Sequence, residues 1–104
     1  MFLYKKGKCI VNRNIVIYVK KNNSPYNNLG ITAGKKVGNA VARNRAKRII
    51  RQAYRENEIN MPVGIDMIIV ARASTAKIKS NILSEYFKKK GIREITEAAF
   101  GDKK

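Results

Sequence analysis

Apolar residues early in the chain come in short β-branched runs, and a longer amphipathic pattern follows. Residues 8–12 and 14–20 read as strand, because Ile15, Val16, Ile17, Tyr18 and Val19 are all β-branched or aromatic. Asn12-Arg13-Asn14 interrupts the run as a bulge or a tight bend. The stretch from Asn22 to Asn28 is a dense turn signal. Leu29-Gly30-Ile31-Thr32-Ala33 predicts a second strand, closed by Gly34. Residues 35–38 form a basic, glycine-containing connector. Asn39 is a good N-cap for a helix over residues 40–57, which Asn60-Met61-Pro62-Val63-Gly64 terminates. Ile65 to Ala71 is a nearly continuous apolar run, as in a buried strand. Ser74 or Thr75 is expected to cap a second helix over residues 76–90, with Ile78, Ile82, Leu83, Tyr86 and Phe87 on one face. Gly91 is its expected C-cap, after three lysines suited to the helix dipole. Residues 92–104 either add a short helix through Ile92, Ile95 and Phe100 or fray. The order strand, strand, helix, strand, helix predicts an α/β sandwich, a small sheet covered by helices.

A chain of 104 residues with 44% hydrophobic content supports one core, so residues 1–104 are read as a single domain. No apolar run approaches the ~20 residues of a membrane span. The N-terminus, Met1-Phe2-Leu3-Tyr4-Lys5-Lys6, lacks the order of a secretory signal, so a cytoplasmic location is the expectation. The single Cys9 cannot make an internal disulfide and is most simply a small strand residue.

Charge changes the picture. There are 23 Lys and Arg against 7 Asp and Glu, a net charge of +16. Such self-repulsion calls for a polyanionic partner: nucleic acid first, with an anionic membrane surface or an acidic protein behind it. The chain has no His, which removes Ser-His-Asp and Cys-His catalysis and the usual nitrogen ligands of a transition metal. None of the seven acids falls in a motif with acid/base or metal-ligand spacing. The pattern is that of a binding protein whose chemistry is supplied by something else.

The segment GKKVGNAVARNRAKRIIRQAYR, residues 34–55, concentrates the charge. On a wheel of about 100° per residue with Arg43 at zero, Arg43, Lys47, Arg51, Asn44, Arg55 and Arg48 span about 0–140°. Ala42, Ala46, Ile49, Ile50 and Ala53 span about 240–340°, and Val41 and Arg45 lie between the arcs. One face packs and the other is a cationic stripe, free of acids until Glu56. Residues three or four apart stand about 5–6 Å from each other, near the spacing of phosphates along a strand. Arginine grips phosphate with two hydrogen bonds and stacks on bases, so five arginines here point to nucleic acid. A merely solvated helix face normally mixes signs. Tyr18 in its strand, and Tyr4 before it, are read either as base-stacking rings or as core.

The run Lys35-Lys36-Val37-Gly38-Asn39-Ala40-Val41, followed by Arg43-Asn44-Arg45-x-Lys47-Arg48-x-x-Arg51, resembles the signature of the bacterial ribonuclease P protein family. The similarity extends from about Tyr4 to residue 90, through Gly7-Lys8, Asn12-Arg13 and Leu29-Gly30-Ile31. The resemblance implies a ribosomal protein S5 domain 2-like fold: a two-layer sandwich with a mixed sheet and a left-handed βαβ crossover around the Arg-Asn-Arg helix. General rules alone favour a right-handed one. The resemblance also implies a subunit of an endoribonuclease, whose catalytic RNA carries the chemistry with Mg²⁺ to remove the 5′ leader of precursor tRNA. By match, Lys35, Lys36, Asn39, Arg43, Asn44, Arg45, Lys47, Arg48, Arg51 and Arg55 would face RNA. Tyr4, Arg13, Val16 and Tyr18 would line a cleft for the single-stranded leader, which tips the reading of Tyr18 towards function. Neither DNA nor membrane is an expected partner.

One departure stands out. Family members carry a longer N-terminal segment, with an aromatic one helical turn before the position of Tyr4. Here that position would precede Met1, so either the chain and its first helix are shortened or its start is placed late, and weaker leader binding is the expectation. A structural RNA-binding protein of ribosomal type would share the charge and size. A DNA-binding regulator would need a helix-turn-helix pair and a dimer seam, and neither is found.

Overall fold

A computed structural model describes residues 8–101. Four strands form one sheet: β1 (Lys8–Val11), β2 (Ile15–Lys21), β3 (Asn28–Thr32) and β4 (Ile65–Ala71). Their spatial order is β1-β2-β4-β3. β1, β2 and β4 pair antiparallel, whereas β3 runs parallel to β4. The connection between those two parallel strands is α1 (Ala40–Asn57), so the βαβ unit is present. After β4 come α2 (Ser80–Tyr86), a π-turn over Phe87–Gly91 and α3 (Ile92–Phe100). The α/β sandwich read from the sequence is therefore the fold.

Alternation along the strands decides which face is covered. Ile15, Ile17 and Val19 of β2 stand opposite Ala71, Ile69 and Met67 of β4, and all six are buried. Ala46, Ile50 and Ala53 of α1, Leu83 of α2, Phe87 and Ile95 join them in one core. Every described helix thus packs on the same side of the sheet. The other side carries two cross-strand rows, Cys9–Tyr18–Ile68–Gly30 and Val11–Val16–Val70–Thr32.

The interruption at Asn12–Asn14 is a tight bend that makes β1 and β2 a hairpin. The Asn12 backbone N–H donates to the carbonyl of Ile15, and the Asn14 N–H donates to Asn12 Oδ1 at 2.8 Å. The sheet consequently has one strand more than the sequence order suggested.

Two expectations about the second helix are corrected. Neither Ser74 nor Thr75 caps it. Thr75–Lys77 is a separate turn, Ile78 is extended, and the helix begins at Ser80 after Lys79. The Thr75 hydroxyl donates to the carbonyl of Asn14 and accepts the Arg72 N–H. It ties this turn to the β1–β2 hairpin instead of starting a helix.

Gly91 is not a C-cap either. Its φ of −60° and ψ of −46° are helical, and the chain continues directly into α3. A Cβ at Gly91 would come within 2.9 Å of Phe87 Cδ1 and of Tyr86 Cε2, so glycine is required by two packed rings and not by a left-handed turn.

Candidate nucleic-acid interface

The expected start of α1 is present: the Asn39 side-chain oxygen accepts the backbone N–H of Ala42 at 3.0 Å. Before it, Lys35–Val37 makes a single tight turn, and Gly38 at φ 140° redirects the chain into the helix. A side chain at Gly38 would be strained by that backbone angle and would meet the Ala42 methyl at 2.9 Å.

The packing face of α1 is rotated from the one read off the sequence. The buried residues are Ala46, Ile50, Ala53, Tyr54 and Asn57, an arc of about 280° through 20° on the same wheel. Ala42 and Ile49 are only half-buried. Sequence reasoning missed Tyr54, which lies beside the cationic stripe, and Asn57, which is polar. The Asn57 amide donates to the carbonyl of Ala53 at 2.9 Å and to Ser84 Oγ at 3.0 Å, bridging α1 to α2. A count of apolar positions cannot see such a contact.

The rotation divides the expected RNA-facing residues. Lys35, Lys36, Asn39, Asn44, Arg45, Arg48, Arg51 and Arg55 are exposed. Arg43 and Lys47 are half-buried, at the edge where α1 meets the core. Their stems can lie along apolar surface while the charged ends reach solvent. Arg45, ambiguous on the sequence wheel, belongs to the outer face. Among the described residues no carboxylate lies within ion-pair distance of any α1 cation. The result is an uncompensated stripe about 18 Å long, from Arg43 to Arg55, on an 18-residue helix. It can neutralise several consecutive phosphates.

The residues expected to line a cleft fall elsewhere. Val16 and Tyr18 are half-buried neighbours on the sheet face opposite the described helices, and Arg13 is exposed in the β1–β2 bend. Tyr4 lies outside the described residues. Tyr18 stands between Cys9 and Ile68, and Val16 between Val11 and Val70. An apolar strip carrying one aromatic ring can hold unpaired bases.

A pocket of about 490 Å³ adjoins both regions, lined by Arg13, Lys36, Ala71, Arg72, Ala73 and Ser74. Three cations from three elements converge there, which suits a phosphate. Arg72 was not singled out from the sequence, and Ser74 was read only as a helix cap. The available signal was a cation directly after a buried strand, followed by small residues. Arg72 Nη1 donates to the carbonyl of Asn12 at 3.3 Å, and Ser74 Oγ donates to Asn14 Oδ1 at 2.7 Å.

Among the described residues no three or more His, Cys, Asp or Glu are grouped so that they could hold a metal ion. No described helix is long and apolar enough to cross a membrane.

Comparison with known proteins agrees with this geometry. A family profile described as Ribonuclease P matches residues 1–94. The ribonuclease P protein component of Lachnoclostridium phytofermentans is 48% identical over 73 residues, 70% of this chain and 63% of that one. That of Clostridioides difficile is 45% identical over 74 residues, 70% of this chain and 65% of that one. The matched segments thus span just under two thirds of these curated relatives. The solved Staphylococcus aureus RNase P protein superposes with a TM-score of 0.74 at 30% identity, covering 92% of this chain and 86% of that one. The Thermotoga maritima RNase P protein gives 0.64 at 31% identity, covering 93% and 81%.

Proposed function

Since the chain belongs to the ribonuclease P protein family, we propose that it is the protein subunit of a ribonuclease P holoenzyme. In this reading it binds a catalytic RNA and the 5′ leader of precursor tRNA in the cytoplasm. The single observation that carries the reading is the α1 stripe: outward arginines, no acidic partners and a capped, well-packed helix behind them. An RNA-binding protein needs that arrangement, and a solvated helix does not.

The roles follow from position. Arg45, Arg48, Arg51 and Arg55, with Asn44, lie against phosphates and grooves of the catalytic RNA near the cleavage region. Arg43 and Lys47 add charge at the helix edge, and Lys35, Lys36 and Asn39 extend the surface before it. The leader runs over the sheet face, bases against Val16 and Tyr18, with Tyr4 and Arg13 completing the cleft. The pocket at Arg13, Lys36 and Arg72 takes a leader phosphate between the two surfaces. Hydrolysis belongs to the RNA with its Mg²⁺. The chain lowers the electrostatic cost of bringing two RNAs and divalent ions together, and it supplies no general acid or base.

Affinity tests this reading. With the RNA subunit present, the complex should bind precursor tRNA more tightly than mature tRNA lacking the leader. The difference should shrink in Tyr18→Ala. Equal affinity for both tRNAs would remove the leader from the proposal. Failure to bind the catalytic RNA at all would remove the proposal itself.

A further inference from the structure

Val41 is out of place on a purely electrostatic surface. It is 67% exposed, and its wheel position at about 160° lies between Arg48 and Arg45. Single exposed apolar residues are ordinary. What distinguishes Val41 is its setting. With Val37, from the turn before α1, Ala42, and Ala76, from the turn after β4, it lines a pocket of about 410 Å³. Asn39, Arg45 and Lys77 complete the lining. The volume falls within the range of small-ligand sites.

The walls are fixed by their own hydrogen bonds. Val37 N–H donates to the Gly34 carbonyl and Gly38 N–H to that of Lys35, both at 3.1 Å. Lys77 N–H donates to the Ser74 carbonyl at 3.0 Å. Thr75 holds the second turn to the hairpin. The turn before α1, α1 itself and a turn distant in sequence therefore line one pocket.

We propose that this pocket receives a single unpaired nucleotide extruded from the RNA that α1 engages. The inference rests on the RNA-contact reading of that helix and deepens it. The base lies on Val37, Val41 and Ala76. Its phosphate meets Arg45 and Lys77. The Asn39 oxygen is occupied by the Ala42 N–H, but the amide N–H₂ keeps two donors for an acceptor on the base edge. Charge complementarity selects this occupant: a ligand with a flat apolar face and an anionic side matches a lining of apolar residues with two cations, Arg45 and Lys77, on a +16 chain. Recognition of splayed-out bases is the usual route to contact with single-stranded RNA.

The test is methyl-detected NMR on the full chain, with adenosine 5′-monophosphate and ribose 5-phosphate as probes. Adenosine 5′-monophosphate should shift the Val37, Val41 and Ala76 methyls by ring current, and ribose 5-phosphate should not. Val41→Ser should abolish that shift. It should also weaken binding to a bacterial ribonuclease P RNA about five-fold or more. Equal shifts from both probes, or shifts confined to Val16, Ile68 and Val70, would overturn the base site and leave the cationic helix reading intact. Unchanged RNA affinity in Val41→Ser would overturn the assignment to RNA even if free nucleotide binds.

Discussion

Asn39 accepts the N–H of Ala42 at 3.0 Å, so the exposed residue at the head of the cationic helix also supports that helix. Asn39→Ala should lower stability by about 1 kcal/mol. Asn39→Ser restores an accepting oxygen and should recover most of that loss in urea or thermal unfolding. RNA affinity separates the two roles. If the amide N–H₂ contacts RNA, Asn39→Ser stays weak in binding although it is stable. Full recovery of binding in Asn39→Ser would make Asn39 a cap only.

The outer arginines should behave differently from those at the edge. Arg45→Ala and Arg48→Ala remove exposed side chains and should change stability by less than about 0.5 kcal/mol. Both should impair holoenzyme function. Arg43→Ala and Lys47→Ala remove half-buried side chains and should cost more stability. RNA affinity should fall with a log–log salt slope of several units if six or more phosphates are contacted. Normal activity in both outer variants, or a flat salt response, would mean that the stripe is not a phosphate site.

Much of this surface was legible in the chain because a capped helix with cations at i, i+4 and i+8 announces itself by spacing alone. Its rotation was not legible. Asn57 is polar, and its contact with Ser84, 27 residues away, helps to make it a core residue. The same holds for Thr75, whose hydroxyl is claimed by Asn14 across 61 residues. In each case a tertiary hydrogen bond overrode a local preference. Gly91 was misread because a glycine after three lysines fits a helix end, and the rings that require it are visible only after packing.

Gly91 provides a sharp check on that packing. In an ordinary helix interior Gly→Ala stabilises by up to about 1 kcal/mol. Here the added methyl meets Phe87, which is fully buried, and the ring of Tyr86, whose hydroxyl donates to Glu94 at 2.6 Å. Gly91→Ala should therefore destabilise by about 1–3 kcal/mol. A rise in Tm would show that the π-turn does not press these rings on the backbone.

Asp66 links stability to acid. Its Oδ1 accepts from Asn22 Nδ2 at 2.9 Å and from Asn28 Nδ2 at 2.8 Å, fastening the Asn-rich loop to β4. These hydrogen bonds, Asn22 first, hold the carboxyl below its ordinary range against a smaller opposing effect of burial. A depressed folded pKa means that the unfolded state takes up the proton first as pH falls. The stabilisation is complete above the unfolded pKa of about 3.9 and is lost on descending through the folded one. Asp66→Asn should lower stability at neutral pH, and its acid unfolding below about pH 4 should be less steep than that of the wild type. Parallel pH profiles would contradict this.

Cleavage of precursor tRNA by a bacterial ribonuclease P RNA at limiting Mg²⁺, with and without the chain, is the decisive measurement. Leaders of one and about ten nucleotides should be compared, the longer sized to a single-strand groove. The chain should stimulate cleavage of both, and more strongly for the long leader. Absence of stimulation, with the chain folded and bound to the RNA, would contradict assignment as the holoenzyme subunit and favour a structural RNA-binding role.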